Sequence, residues 1–241
     1  MALREFLGHT FVSQDKSCPY LLDRTSATQY HIGGVNSVMF AKLLSRGWRR
    51  FGRLFFRPVC AACDECKSAR VDVDRFELSG SFRRILRKGE ALRLEISRPI
   101  VSDDRLALYD RYHKERSISR GWETESADPT EYYCAFAESS EDYGYEFAYY
   151  YLDRLVCVAL TDILPIGVSA VYCYYEPEMR SFSLGTYSVL RQAMFAKDRG
   201  AKRLYLGYWV QNNASLAYKA RFKPFEILRG RPELDQTPIW E

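Results

Sequence analysis

The 241-residue chain predicts an α+β fold in two parts. A Cys- and Arg-rich N-terminal domain spans residues 1–90 and packs on a C-terminal mixed-sheet domain over residues 91–241. Three observations lead there. Four cysteines and two dense arginine clusters crowd the first third. Beyond residue 91, aromatic and β-branched runs alternate with helical periodicity. The balance of 47% hydrophobic to 27% charged residues is that of an ordinary globular protein, and the length suits one large domain or two small ones sharing a core.

Residues 35–47 read as a helix that stops at Gly47, whose missing side chain suits a left-handed cap. Residues 52–58 make a short strand leading into Cys60-x-x-Cys63-x-x-Cys66. Residues 71–76 alternate as a half-buried strand does, and residues 79–88 form a very basic helix closed by Gly89. The remainder of the first third reads as irregular. Residues 92–96 follow as a short strand, 104–115 as a helix and 131–137 as a short helix. Strands are expected over 146–152, 155–164 and 168–175, with Pro165-Ile-Gly167 turning the chain between the last two. A helix then runs from the Ser183–Ser188 segment through Lys197 to a stop at Gly200. A strand over 203–210 and a short helix over 214–221 complete the pattern. This order resembles the GNAT acyltransferase core, a mixed sheet with helices on both faces, which is a fold analogy only.

No window approaches the roughly 18 uninterrupted apolar residues of a membrane span, so no membrane partner is expected. The opening MALREFLGHTFVSQDK carries charge where a secretory signal needs an apolar core, and the cytoplasm is the expected location. The net charge of +4 says little; its distribution says more. Arg46, Arg49, Arg50, Arg53 and Arg57 form one cluster, and Arg83, Arg84, Arg87, Lys88 and Arg93 a second. Such density suits a phosphate backbone.

Seven cysteines, unevenly spaced, are better read in a reducing compartment as metal ligands or buried thiols than as disulfides. Cys60, Cys63 and Cys66 can converge on one soft metal from a single loop, and Cys18 is the natural fourth ligand. The spacing leaves zinc and an iron–sulfur cluster equally open. Cys134, Cys157 and Cys173 lie in apolar or aromatic runs and read as core. At Ser183-Leu-Gly-Thr-Tyr187 a coenzyme A enzyme would place several glycines and a basic residue around pyrophosphate. One glycine and no adjacent cation make coenzyme A a poor fit. In residues 217–224, Lys219, Arg221 and Lys223 alternate with Tyr218 and Phe222, a pattern able to hold a carboxylate, a phosphate or a stacked base. His9, His31 and His113 show no zinc-hydrolase spacing or triad.

Six segments then match a known family. Ser17-Cys-Pro-Tyr-Leu21, the run from Phe56 through the cysteines to Arg70-Val71, Ser169-Ala-Val-Tyr172, Ser183-Leu-Gly-Thr-Tyr187, Tyr205-Leu-Gly-Tyr-Trp209 and Tyr218-Lys-x-Arg-Phe-x-Pro224 together resemble the bacterial aspartate/glutamate leucyltransferases. That group is related to the arginyl-tRNA–protein transferases. The resemblance implies an N-degron enzyme that moves leucine from leucyl-tRNA to proteins with N-terminal Asp or Glu. It needs no cofactor for the chemistry, with zinc or a [4Fe–4S] cluster expected at Cys18, Cys60, Cys63 and Cys66. For that reaction Tyr187 and Tyr218 are the candidate catalytic groups that orient the reactants, with Gly185, Thr186, Trp209, Lys219 and Arg221 as candidate substrate contacts, Lys219 and Arg221 pairing with the acidic side chain. Arg46, Arg49, Arg50, Arg53, Arg83, Arg84 and Arg87 would hold tRNA. The rival readings are the same reaction with arginyl-tRNA, and a non-catalytic module that binds tRNA or protein.

Overall fold

The computed structural model describes residues 8–122, 126–138 and 142–241, so the charged N-terminal stretch begins outside the described residues. In chain order the strands are β1 (Gly8–Val12), β2 (Lys16–Ser17), β3 (Thr25–Ser26), β4 (Thr28–Gly33), β5 (Arg49–Phe51), β6 (Leu54–Pro58), β7 (Lys67–Asp72), β8 (Arg93–Ser97), β9 (Gly144–Tyr151), β10 (Arg154–Leu164), β11 (Gly167–Tyr175), β12 (Arg203–Trp209) and β13 (Phe225–Ile227). The α-helices are α1 (Ser37–Leu44), α2 (Gly80–Lys88), α3 (Asp103–Arg120), α4 (Pro129–Tyr132) and α5 (Leu184–Asp198).

The first third is not irregular. β1, β4, β6 and β5 pair antiparallel into a four-stranded sheet. Its sequence signal is weak because both faces carry large side chains. His31, Phe55 and Arg57 turn inward and are buried, while Tyr30 and Phe56 on the other face are half-buried. Alternation of apolar with polar, the usual mark of a half-buried strand, is therefore missing. The two-residue pair β2–β3 holds Cys18 in place through a bond from its N–H to the Arg24 carbonyl (2.8 Å).

A seven-stranded mixed sheet runs in the order β13-β7-β12-β11-β10-β9-β8, with only β11 and β12 parallel. β7 lies on the N-terminal side of the expected divide at residue 90, yet it pairs with β12 and β13. The strand expected over residues 71–76 sits earlier because Asp72 ends it. Its carboxylate accepts from the amides of Asp74 (3.1 Å) and Arg75 (3.3 Å), turning the chain.

Helices cover both faces of this sheet. α5 and α2 pack on one through Val189, Leu190, Ala193 and Phe82, and α3 packs on the other through Leu108 and Tyr112. α2 starts at Ser79, whose hydroxyl accepts from the Phe82 amide (3.2 Å). It buries only Phe82 and leaves its arginines outside. Burying that ring contributes about 1.5–3 kcal/mol, and Ile85 and Leu86 pack half-buried beside it. α3 runs past its expected end to Gly121, which takes the left-handed conformation (φ 67°) and bonds back to the Ser117 carbonyl (2.9 Å).

Candidate active site

β11 and β12 hydrogen-bond only across Val168↔Leu204 and Ser169↔Tyr205, and then part. Two irregularities open them. The register of β11 against β10 slips by one residue at Val171, and that of β12 against β7 slips at Leu206, next to Gly207 at φ 81°. Such bulges bend a strand and re-aim its side chains.

Arg49 of β5 fills the opening. Its guanidinium donates to Ser169 Oγ (3.0 Å) and to the Ala170 carbonyl, and a Cβ on residue 207 would stand 3.5 Å from its Cζ. Lys219 arrives from the 3₁₀ turn Ala217–Arg221 and donates from Nζ to the Tyr208 carbonyl (2.6 Å). Burial, reinforced by the nearby Arg49 charge, pulls the Lys219 pKa down to about 7. Trp209 steadies that turn, its indole N–H donating to the Ala217 carbonyl (3.3 Å). The opening therefore holds a buried guanidinium and a partly buried amine whose protonated form would add a second charge, an arrangement that favours an incoming anion.

Around it stand hydroxyls and a thiol. Tyr218 and Tyr175 both lie within electrostatic range of Cys173, and burial raises the pKa of each phenol, keeping it a neutral donor. Arg116 of α3 donates to the Tyr175 hydroxyl (2.6 Å). Gly185 at the start of α5 lets Tyr175 close, since a Cβ there would lie 3.2 Å from its ring; Thr186 beside it is half-buried. His113 meets the Tyr172 hydroxyl through Nε2 (2.9 Å) and stacks on Tyr109 at 4.0 Å, and burial lowers its pKa. Ser169 and Tyr172 begin and end one of the family-matching segments but have no individual role in the sequence reading, and His113 carries no signal because its partner Tyr172 lies 59 residues away.

Several expected site residues are elsewhere. Tyr187 is 1% exposed, with its hydroxyl donating to the Gly89 carbonyl (2.9 Å) and accepting from Arg191 (3.0 Å), so both its bonds are to the protein's own groups. Arg49 and Arg50 are buried, correcting their place on an exposed basic surface; Arg50 pairs with the buried Asp162. Arg46 is spent on the carbonyls of Lys42, Glu233 and Gln236. Arg53 is half-exposed, 3.8 Å from Glu138. Arg83, Arg84, Arg87 and Lys88 do face solvent on α2. Arg221 does not join Lys219 but lies exposed over the Phe82 ring (5.6 Å), extending the α2 surface.

The four N-terminal cysteines are neighbours. Burial, with Cys18, Cys60 and Cys63 close by, pushes the Cys66 thiol up to about 12. Arg24 donates to Cys63 Sγ (3.2 Å), and the Ala27 amide to Cys60 Sγ (3.4 Å). Arg231 grips the same loop through the carbonyls of Cys60 (3.0 Å) and Cys63 (2.6 Å). Among the described residues no set of three or more side chains stands at metal-holding geometry. The donor chemistry nevertheless fits a soft centre: four thiols, with two guanidiniums to offset thiolate charge.

Residues 16–84 match the N-terminal domain of arginine-tRNA-protein transferase, and residues 104–229 match its C-terminal domain. The chain belongs to the arginine-tRNA-protein transferase family. Its relatives include an aspartate/glutamate leucyltransferase of Campylobacter jejuni (strain 81116), 40% identical over 96% of this chain and 98% of that one. Another of the same name, from Helicobacter hepaticus, is 38% identical over 96% of both chains. Among solved structures, FemX aligns over 85% of this chain and 80% of that chain, with 9% identity and a TM-score of 0.45. The transferase family's two matched parts meet at the opening, Arg49 coming from the first, and Ser169 and Lys219 from the second. Among the described residues no helix is long and apolar enough to cross a membrane.

Proposed function

We propose that this chain transfers leucine from leucyl-tRNA to the N-terminal Asp or Glu of acceptor proteins, forming a peptide bond that marks them for degradation. The donor and acceptor are those named for relatives that align over nearly the whole chain. The observation that carries the acidic acceptor is the meeting of Arg49 and Lys219 where β11 and β12 part. A buried guanidinium and a protonated amine together suit one carboxylate.

The reaction asks little of side chains. The acceptor's α-amino nitrogen attacks the ester carbonyl; the C–N bond forms, the ester C–O bond breaks, and the tRNA 3′ oxygen leaves with the proton given up by the amine. With a pKa near ~8, about a tenth of such amines are already neutral at pH 7. Positioning amine against carbonyl supplies roughly 7 kcal/mol or more of the barrier. In this reading Arg49 and Lys219 hold the acidic side chain. Tyr218 and Tyr175 orient the reactants by donating to developing negative charge. Gly185, Thr186 and Trp209 shape the wall, and Arg83, Arg84, Arg87 and Arg221 hold tRNA phosphates. The larger sheet, with α5 joining its parallel pair, is read as GNAT-like, and the opening as its reaction cleft. Residues 1–90 bring the tRNA and cysteine groups to residues 91–241, which carry the transfer site.

Cys18, Cys60, Cys63 and Cys66 would hold zinc or an iron–sulfur cluster, which would tie the β2–β3 segment to the Cys60 loop. Cytoplasmic work fits those thiols, since a reducing compartment keeps them free to bind metal.

The test is to incubate the protein with tRNA charged with labelled leucine or arginine and with peptides beginning Asp, Glu or Ala. Label should pass from leucyl-tRNA to the Asp and Glu peptides. Equal transfer to the Ala peptide would remove the acidic acceptor, faster transfer from arginyl-tRNA would remove leucine, and binding without transfer would leave only a binding module.

A further inference from the structure

The outward face of the N-terminal sheet has no part in the reading above. Its inward face is closed, with Phe55 fully buried against α1. The outward face is aromatic, exposed at Phe11 and half-buried at Tyr30 and Phe56, and at β5 Phe136 covers it, meeting Phe51 edge-on at 6.1 Å. Phe11, Tyr30 and Phe56 stand opposite one another across β1, β4 and β6. His9 stacks on Phe11 at 5.9 Å and 26°, and Phe11 on Tyr30 at 5.3 Å and 25°. Toward the protein's centre, Phe51 packs on Phe56 (5.4 Å) and meets Tyr172 edge-on (6.2 Å). Tyr172 adjoins the Val171 bulge that opens β11 from β12. The rings therefore run from an exposed edge strand to the opening that holds Arg49 and Lys219.

We propose that this face is a stacking track for single-stranded nucleotides, on which the unpaired 3′ end of the donor tRNA lies with its terminal ester directed to the opening. The proposal rests on the tRNA-dependent reading given above. Four physical points select this occupant. Phe11 is exposed and Tyr30 and Phe56 are half-buried, so parts of these rings meet solvent, and only unpaired bases offer faces that can pack on them. At a strand spacing of ~4.8 Å the three rings span about 10 Å, the length of roughly three stacked nucleotides at ~3.4 Å each. The half-exposed Arg53 sits at the rim, in the turn bonded to the end of β4, and Arg49 and Lys219 lie at the far end, so cations stand at two points for a phosphate chain to meet. The track also ends where the carbonyl must arrive.

The experiment uses the full chain, the double variants Phe11→Ala/Tyr30→Ala and Phe11→Leu/Tyr30→Leu, and Phe11→Trp/Tyr30→Trp as the conservative control. Two RNA hairpins serve as probes, one with four unpaired 3′ nucleotides and one blunt. Anisotropy should show the parent preferring the overhang. The Ala and Leu pairs should lose about tenfold or more of overhang affinity with blunt-hairpin affinity unchanged, while the Trp pair retains it. The Leu pair keeps apolar area and removes only the flat ring, and thermal melting by circular dichroism identifies the variants that are folded. Unchanged overhang affinity in a folded Ala or Leu pair overturns the track. So does a raised KM for the acceptor peptide without one for tRNA, which would assign the face to protein. The transfer assay separates the two readings. A parent that prefers the overhang but transfers no leucine keeps the track and loses the function; a parent that transfers leucine, with variants showing unaltered tRNA KM, does the reverse.

Discussion

Arg49 and Lys219 hold their charges inside the protein, whereas Arg83, Arg84, Arg87 and Lys88 hold theirs on α2 in contact with solvent. Burial makes the first pair expensive: Lys219 has been pulled down to about 7, and an interior cation is stable only when something opposite meets it. The α2 group carries no such penalty, but water and salt screen it. Interior charge can therefore tell a carboxylate from a methyl group, while surface charge gathers any polyanion. Acceptor choice and tRNA affinity should separate cleanly on mutation.

The largest separation is expected at Lys219. In Lys219→Met, kcat/KM for Asp- and Glu-initiated peptides should fall ten- to roughly 150-fold, the worth of a charge-assisted hydrogen bond of about 1.5–3 kcal/mol. An Ala-initiated peptide should change little. The pH dependence follows the same logic. A lysine whose pKa is depressed to about 7 loses its proton as pH rises through 7, so the Asp-to-Ala ratio of kcat/KM should drop above that pH. Taking the ratio cancels the amine's own titration. Lys219→Arg, which is not deprotonated in this range, should keep the ratio flat. A ratio flat in the parent as well would take Lys219 out of acceptor choice.

Smaller, and opposite in kind, is the effect at α2. Replacing Arg83, Arg84 and Arg87 together with Glu should reduce the slope of log tRNA affinity against log salt by about two to three, leaving the Asp-to-Ala ratio untouched. An unaltered slope would return α2 to the status of a solvated face.

The two cation groups were also unequally legible in the sequence. α2 was plain: a dense run of basic residues from Ser79 to Lys88 and a glycine stop are local signals. Its neighbours in the larger sheet were plain for the same reason, long β-branched and aromatic runs between turns. Arg49 and Arg50 looked like members of the same kind of cluster, because sequence shows charge but not depth. What buries them is the pairing of β5 with β6 and the reach of Arg49 to Ser169, 120 residues away. The four-stranded sheet leaves little sequence signal because its outward face is aromatic instead of polar. In residues 217–223 the alternation of cations and rings was readable, but a 3₁₀ turn sends Lys219 inward and Arg221 outward. Only the backbone path decides which of two adjacent cations is interior.

Tyr187 makes the smallest predicted effect and sharpens the same lesson for hydroxyls. Its position in the Ser183–Tyr187 motif suggests chemistry, while its surroundings describe a strut. The hydroxyl ties α5 to the end of α2 through the Gly89 carbonyl, the ring meets Tyr149 edge-on at 5.4 Å, and a Cβ at residue 89 would stand 2.0 Å from the ring. Tyr187→Phe removes the hydroxyl and keeps the ring. It should cost about 1 kcal/mol, a Tm lower by roughly 2–4 °C for a chain of this size, with kcat and both KM values within about twofold of the parent. The contrast is Tyr218→Phe, whose hydroxyl neighbours Cys173 and Tyr175 at the opening; there kcat should fall while Tm holds. A Tyr187→Phe protein that melts like the parent but transfers leucine tenfold more slowly would put its phenol back among the reacting groups, and would require α5 to shift from the position it holds against Gly89.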